Sequence, residues 1–141
     1  MPDLIAKSYK FRVYPNAEQR EQLDRDFFAA RWVYNRALDI ITSAYGDRQE
    51  RVTWVEVSRL LTQFKKRPGC EFLRQASNDV LTQALRNLDQ AFANFFANVK
   101  AGRKPGYPKP KHRYSRQSVR YIFDQRSAGK VADWNAGKLQ L

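Results

Sequence analysis

The chain has 141 residues but only one cysteine, one histidine and one methionine. The lone Cys70 excludes an internal disulfide framework. One Cys and one His cannot supply the four ligands of a Cys/His structural zinc site. No apolar run approaches the ~20 residues needed to cross a bilayer. The opening MPDLIAKSYKFRVY lacks the apolar core of a secretory signal. A reducing, cytoplasmic setting fits these absences. Gly46, Gly69, Gly102 and Gly106 stand isolated, so there is no phosphate-cradling glycine loop. The most informative absence is of acid. From Lys100 to Arg120, KAGRKPGYPKPKHRYSRQSVR, there is no Asp or Glu and there are eight Lys or Arg.

Those eight cations supply most of the formal net charge of +12. The ninety-nine residues before them are nearly balanced, with 15 basic and 12 acidic side chains. The charge is therefore concentrated on a Pro/Gly-punctuated segment that cannot form one continuous helix. Membrane-surface binding would want the charge on one amphipathic helix instead. Pro105, Pro108 and Pro110 hold the backbone extended, so side chains project in several directions, as on a strip laid along phosphates. Tyr107, His112, Tyr114 and Tyr121 are interleaved with the cations. A polyanion with stackable rings suits this pattern, which means nucleic acid. A solvated linker is the plainer alternative, but it does not require so long a stretch without acid. Tyr107 and Tyr114 fall outside any apolar period, and either stack on bases or cover a sheet.

An apolar content of 43% and nineteen aromatics argue for a packed core despite the charge. The length fits one domain, or one domain with an appendage. Residues 6–14 alternate, with Tyr9, Phe11 and Val13 on one side and Lys10, Arg12 and Tyr14 on the other. The alternation predicts a half-buried strand with a basic face, stopped by Pro15. Asn16 with Gln19 forms a capping-box pair ahead of Leu23, Phe27, Ala30, Tyr34, Ala37, Ile41 and Ala44. That spacing predicts a helix of about 28 residues, closed by Gly46-Asp47. Thr53 and Glu56 box a second helix carrying Val57, Leu60, Leu61 and Phe64, ended by Pro68-Gly69. Ser77 or Asn78 caps a third, with Leu81, Leu85, Leu88, Phe92, Phe95 and Val99 on one face and Gly102 closing it. Phe27, Phe28, Phe92, Phe95 and Phe96 follow helical spacing and are expected in the core. Ser118 to Gln125 alternates as a second strand, and Lys138-Leu139-Gln140-Leu141 reads as the start of another.

The expected fold class is α+β: a small β-barrel or sheet, wedge-like, with a three-helix insertion after the first strand. Its parts are a first strand at 1–15, a helical insert at 16–102, and a basic connector with the remaining strands at 103–141. The pattern is that of the front of something longer.

Catalytic constellations are sparse. His112 and Cys70 have no third group at a spacing that would orient a nucleophilic pair, and Cys70 reads as a small packing residue. Glu18, Glu21, Asp24, Asp39 and Asp89 fall on helix exteriors, and no set of acids converges as a metal-dependent nuclease requires.

Three ordered motifs carry a family resemblance. Lys10-Phe11-Arg12-Val13-Tyr14-Pro15-Asn16, then Gln19, then Arg31-Trp32-Val33-Tyr34-Asn35, resembles the opening of TnpB proteins, also called OrfB transposases. Leu85-Arg86-Asn87-Leu88, Ala91-Phe92 and Asn94-Phe95-Phe96 resemble the family's aromatic helix. Gly106-Tyr107-Pro108-Lys109-Pro110-Lys111 resembles the run after it, with Pro110 where an aromatic is usual. TnpB proteins are RNA-guided DNA endonucleases of bacterial and archaeal transposons, similar to type V CRISPR effectors. The resemblance implies a wedge-type barrel with a helical recognition insert that grips guide RNA and the guide–target heteroduplex. It also implies that a short motif beside the transposon is read from Trp54 and Ser58, from Asn78, Asp79 and Thr82, and from Asp124 and Gln125. The family continues into a RuvC-like nuclease domain with metal-binding acids and a zinc insert. Mg and Zn are expected only there, so the present chain is expected to hold no metal or cofactor and not to cut DNA.

The expected function is thus the nucleic-acid-binding front module of a TnpB-like protein. Its expected partners are guide RNA, DNA and a nuclease region in the same or a separate chain. Lys10, Arg12, Lys104, Lys109, Lys111, Arg113, Arg116 and Arg120 are the expected phosphate contacts. Tyr107 and Tyr114 are the stacking candidates. The alternative is a stand-alone helix-turn-helix-type DNA-binding regulator of the same family. Either would act in the cytoplasm, at the nucleoid.

Overall fold

A computed structural model describes residues 8–49 and 51–121, together with the backbone of 132–133 and 138–139. Four helices follow one another: α1 (Ala17–Arg48), α2 (Trp54–Phe64), α3 (Glu71–Gln75) and α4 (Asn78–Lys100). Both expected capping boxes are present. Asn16 Oδ1 accepts from the Gln19 N–H at 2.9 Å, and Gln19 Oε1 accepts from the Asn16 N–H at 3.0 Å. Thr53 Oγ1 and Glu56 close the same pair at the start of α2. Ser77 precedes α4 but makes no side-chain cap bond.

α1 runs 32 residues, about 48 Å. It passes through Gly46 and ends at Gln49, which is left-handed with φ 52°. Gly46 ends nothing because its φ is ordinary. Gly69 and Gly102, with φ 86° and 71°, do occupy the left-handed region where a Cβ is strained, after α2 and α4 respectively. After Gly69 the chain forms the short α3.

The core lies between the helices. Ala29, Val33, Ala37 and Leu38 of α1 meet Leu81, Leu85 and Leu88 of α4, with Val57, Leu61 and Phe64 of α2 and Leu73 of α3 closing the ends. Each fully buried leucine contributes roughly 1.5–3 kcal/mol. Two contacts set the helix directions. Ser77 N–H reaches Asp26 near the start of α1, and Tyr107, packed on Phe92 and Phe95, reaches Thr42 near its end. α1 and α4 therefore run parallel. α2 runs antiparallel to α4, since Arg86 covers the Trp54 ring while Lys65 Nζ bonds Asn78 Oδ1 at 2.9 Å.

The α+β expectation is corrected by this architecture. The described residues are helical, and their only strands are β1 (Ala132–Asp133) and β2 (Lys138–Leu139). These pair antiparallel, with Ala132 opposite Leu139 and Asp133 opposite Lys138, and form neither sheet nor barrel with the other described residues. The strand expected at 6–14 has no ladder over its described part, residues 8–14, and leaves Tyr9 73% exposed beside Val13 and Tyr14. Alternation is necessary for a half-buried strand, but a neighbouring strand must supply the hydrogen bonds. Ser118 to Tyr121 is likewise not a strand, and Ile122 to Gln125 lie outside the described residues. The phenylalanines are also less buried than their spacing implied. Phe28 and Phe96 are exposed, and Phe27, Phe92 and Phe95 are half-buried.

Candidate nucleic-acid interface

After Gly102 the chain turns back along the groove between α1 and α4. This strap, residues 103–121, is pinned at three places. Tyr107 Oη and Thr42 Oγ1 share a hydrogen bond of 2.9 Å. Lys111 is held by Asn35, whose Oδ1 accepts from the Lys111 N–H at 2.7 Å and whose Nδ2 donates to the Lys111 carbonyl at 2.8 Å. Tyr121 Oη donates to Asp26 Oδ2. Along α1 these anchors descend from 42 to 35 to 26, so the strap runs antiparallel to both long helices.

The strap carries slack. From Asn35 to Asp26 is about 14 Å along α1, while the ten residues after Lys111 could span about 33 Å. The excess forms a turn at 112–115. Ser115 N–H donates to the His112 carbonyl at 3.0 Å, and His112 N–H donates to Ser115 Oγ at 3.0 Å. Arg113 and Tyr114 occupy its tip, and Tyr114 is 92% exposed.

Asp26 anchors the far end and is 1% exposed. Its Oδ1 accepts from Gln22 Nε2 at 3.1 Å and from the Ser77 N–H at 3.2 Å, while Oδ2 takes the Tyr121 hydroxyl. Burial, then the hydrogen bond to Asp26 and its charge, push the Tyr121 hydroxyl well above the usual tyrosine pKa. Burial also raises Tyr34. Sequence reading passed over Asp26. The available signal was its place in the apolar stripe, between Leu23 and Ala30.

The expected phosphate contacts separate into groups. Lys10 and Arg12 are exposed on the lead-in to α1, away from the strap in sequence. Lys104, Lys109, Arg113, Arg116 and Arg120 are exposed along the strap. Lys111 is half-buried, with its ammonium 4.5 Å from the Tyr34 ring centre. No strap cation is neutralised by a carboxylate among the described residues, where the one ion pair is Arg25–Glu21 at 3.9 Å. The two stacking candidates differ. Tyr107 lies edge-on to Phe92 and Phe95 and covers helices rather than a sheet, whereas Tyr114 stands free of the helices beside Arg113.

The base-contact candidates on α2 and α4 share one seam. The antiparallel register that sets Trp54 under Arg86 and Lys65 beside Asn78 places Ser58, one turn from Trp54, level with Thr82, one turn from Arg86. Asp79 lies between Thr82 and Asn78 on the same stretch. Asp124 and Gln125 lie outside the described residues. Among the described residues no group of three His, Cys, Asp or Glu could hold a metal ion, and no helix is long and apolar enough to cross a membrane.

Comparison with known proteins places this geometry. Residues 1–50 match the family model of a helix-turn-helix domain of OrfB proteins. The virulence protein VsdF of Salmonella dublin is 32% identical over 77% of this chain and 96% of its own length. A candidate RNA-guided DNA endonuclease of Streptomyces pristinaespiralis is 41% identical over the whole chain, which covers 33% of that protein. A second such candidate, InsQ of Escherichia coli (strain K12), is 24% identical over 82% of the chain, covering 27% of its length. The chain belongs to the TnpB/OrfB family. It corresponds to an N-terminal region of that family and spans about a third of the first endonuclease relative. Among the described residues matched as a helix-turn-helix domain, this TnpB/OrfB chain has a lead-in at 8–16 and one helix, α1; the next helix, α2, begins at Trp54.

Proposed function

We propose that this TnpB/OrfB chain is the part that grips nucleic acid in an RNA-guided DNA endonuclease, holding guide RNA and target DNA beside the transposon. One observation carries the proposal: the acid-free strap is pinned across two parallel helices, with its cations turned to solvent or to aromatic rings and, among the described residues, none on a carboxylate. Lys104, Lys109, Lys111, Arg113, Arg116 and Arg120 would follow the phosphates, with Lys10 and Arg12 adding contacts from the lead-in. Such contacts position a complex, while pairing with the guide carries most of the sequence choice. Trp54, Ser58, Asn78, Asp79 and Thr82 would meet bases along the α2–α4 seam, and Tyr114 would stack on one. Bond cleavage, with its Mg and Zn, would belong to a nuclease region in the same or a separate chain. The setting would be the cytoplasm, at the nucleoid.

A second reading is a stand-alone DNA-binding regulator; the match to 96% of VsdF shows only that a relative of about this extent exists. Gel shifts with and without a guide transcript separate the two. The proposal expects tight binding to RNA, and to duplex DNA only weakly and without sequence preference when RNA is absent. Specific duplex binding without RNA would contradict it in favour of the regulator.

A further inference from the structure

The slack in the strap does more than project Tyr114. Between Lys111 and Arg120 the strap stands off the helices and roofs a crevice floored by α1 and α4. Four cations line it: Arg31 from α1, and Lys111, Arg116 and Arg120 from the strap. The amides of Gln83 and Asn87 line it from α4, and Gln83 is only 5% exposed. Among the described residues no Asp or Glu lines it. None of the four cations has a carboxylate partner among the described residues. Arg31 lies over the Phe28 ring at 5.5 Å and Lys111 over Tyr34 at 4.5 Å.

Four basic residues and a buried amide lining one partly enclosed space, with no acid among its described residues, make a receptor for a compact polyvalent anion. We infer that this crevice is a phosphate seat, binding one phosphate group of a nucleic acid between the strap and the helix pair. This inference rests on the nucleic-acid reading above and adds to it an enclosed site and a residue outside the basic segment, Arg31. A phosphate here would neutralise strap and helix cations together and hold the strap down, so binding should stabilise the fold. The ligand chemistry is a phosphate monoester or diester, and a 5′-terminal phosphate and an internal backbone phosphate are its two sources.

The test uses the 141-residue chain with inorganic phosphate as the probe, at fixed ionic strength against chloride. The seat predicts a saturable rise in melting temperature and broadening of the phosphate ³¹P resonance on adding protein. Arg31→Gln and Arg120→Gln should each weaken phosphate binding about tenfold, while Arg59→Gln, exposed on α2 outside the crevice, should leave it unchanged. The ³¹P measurement on the unaltered chain keeps the test valid should a variant fold poorly. Short RNAs with and without a 5′-phosphate then separate the sources: preference for the phosphorylated end marks a terminal-phosphate seat, and equal affinity with competition by inorganic phosphate marks a backbone seat. A chain that binds RNA in a salt-dependent way but shows no saturable phosphate response overturns the seat and leaves the wider interface standing. A chain that binds neither overturns both.

Discussion

The side chain of Asn35 replaces a β-ladder partner for Lys111. It accepts the Lys111 N–H at 2.7 Å and donates to the Lys111 carbonyl at 2.8 Å, so one amide satisfies both main-chain groups of a residue seventy-six positions away. The strap needs no sheet to be ordered on the helices. Asn35→Ala removes both bonds and should cost about 2 kcal/mol. Denaturant unfolding checks the cost, and faster proteolysis between Arg103 and Arg120 checks that the strap is what loosens.

The Tyr121–Asp26 bond gives stability a pH dependence of known sign. The folded-state pKa of Tyr121 is raised above its ordinary value of about 10. Its contribution is therefore fully present below about pH 10 and is lost as pH rises through the folded-state value. Tyr34 is raised by burial and acts in the same direction. Tyr121→Phe should cost about 1 kcal/mol near neutral pH and should flatten, without abolishing, the fall in stability above pH 10. Melting temperature measured from pH 7 to 11 on both proteins reads this directly.

Much of the helical architecture was legible. The Asn16/Gln19 and Thr53/Glu56 boxes, the α4 stripe and the Gly102 stop each rest on bonds within a few residues, which spacing alone reveals; α2 ends at Phe64, short of the Pro68-Gly69 pair. Long-range choices were not legible. The alternation of Tyr9, Phe11 and Val13 satisfies the local rule for a strand, but nothing local says whether a partner strand exists. Phe28 and Phe96 fit the helical period yet sit at the edges of their stripes, where burial depends on what packs alongside. The basic segment was found by composition, but its path depends on Asn35, Thr42 and Asp26, all far away in sequence. Asp26 itself was hidden because single acids in an apolar stripe read as stripe edges until a partner for them is known.

The two strap tyrosines should respond oppositely to truncation. Tyr107→Ala removes edge contacts to Phe92 and Phe95 and the bond to Thr42, and should destabilise the fold by about 1–3 kcal/mol. Tyr114→Ala should leave stability within about 0.5 kcal/mol and weaken single-stranded nucleic-acid binding by about 1–3 kcal/mol. Thermal unfolding and fluorescence anisotropy on the same two variants separate the effects.

Along the α2–α4 seam, Ser58→Ala and Thr82→Ala should leave the fold intact, since neither side chain is fully buried. In complex with guide RNA, they should alter discrimination between bases of the motif beside the transposon by about 1–3 kcal/mol per contact. A randomised-flank binding selection, with circular dichroism as the folding control, checks both halves.

The central claim is that the strap binds polyphosphate through cations the fold leaves unneutralised. The most direct measurement is affinity for single-stranded RNA across a salt series, for the unaltered chain and for Arg113→Gln/Arg116→Gln. The unaltered chain should bind at low ionic strength, with log affinity falling linearly against log salt. The double variant should lower that slope by about 0.7 for each phosphate contact removed. No binding at low ionic strength, or a slope the two substitutions leave untouched, would contradict the account.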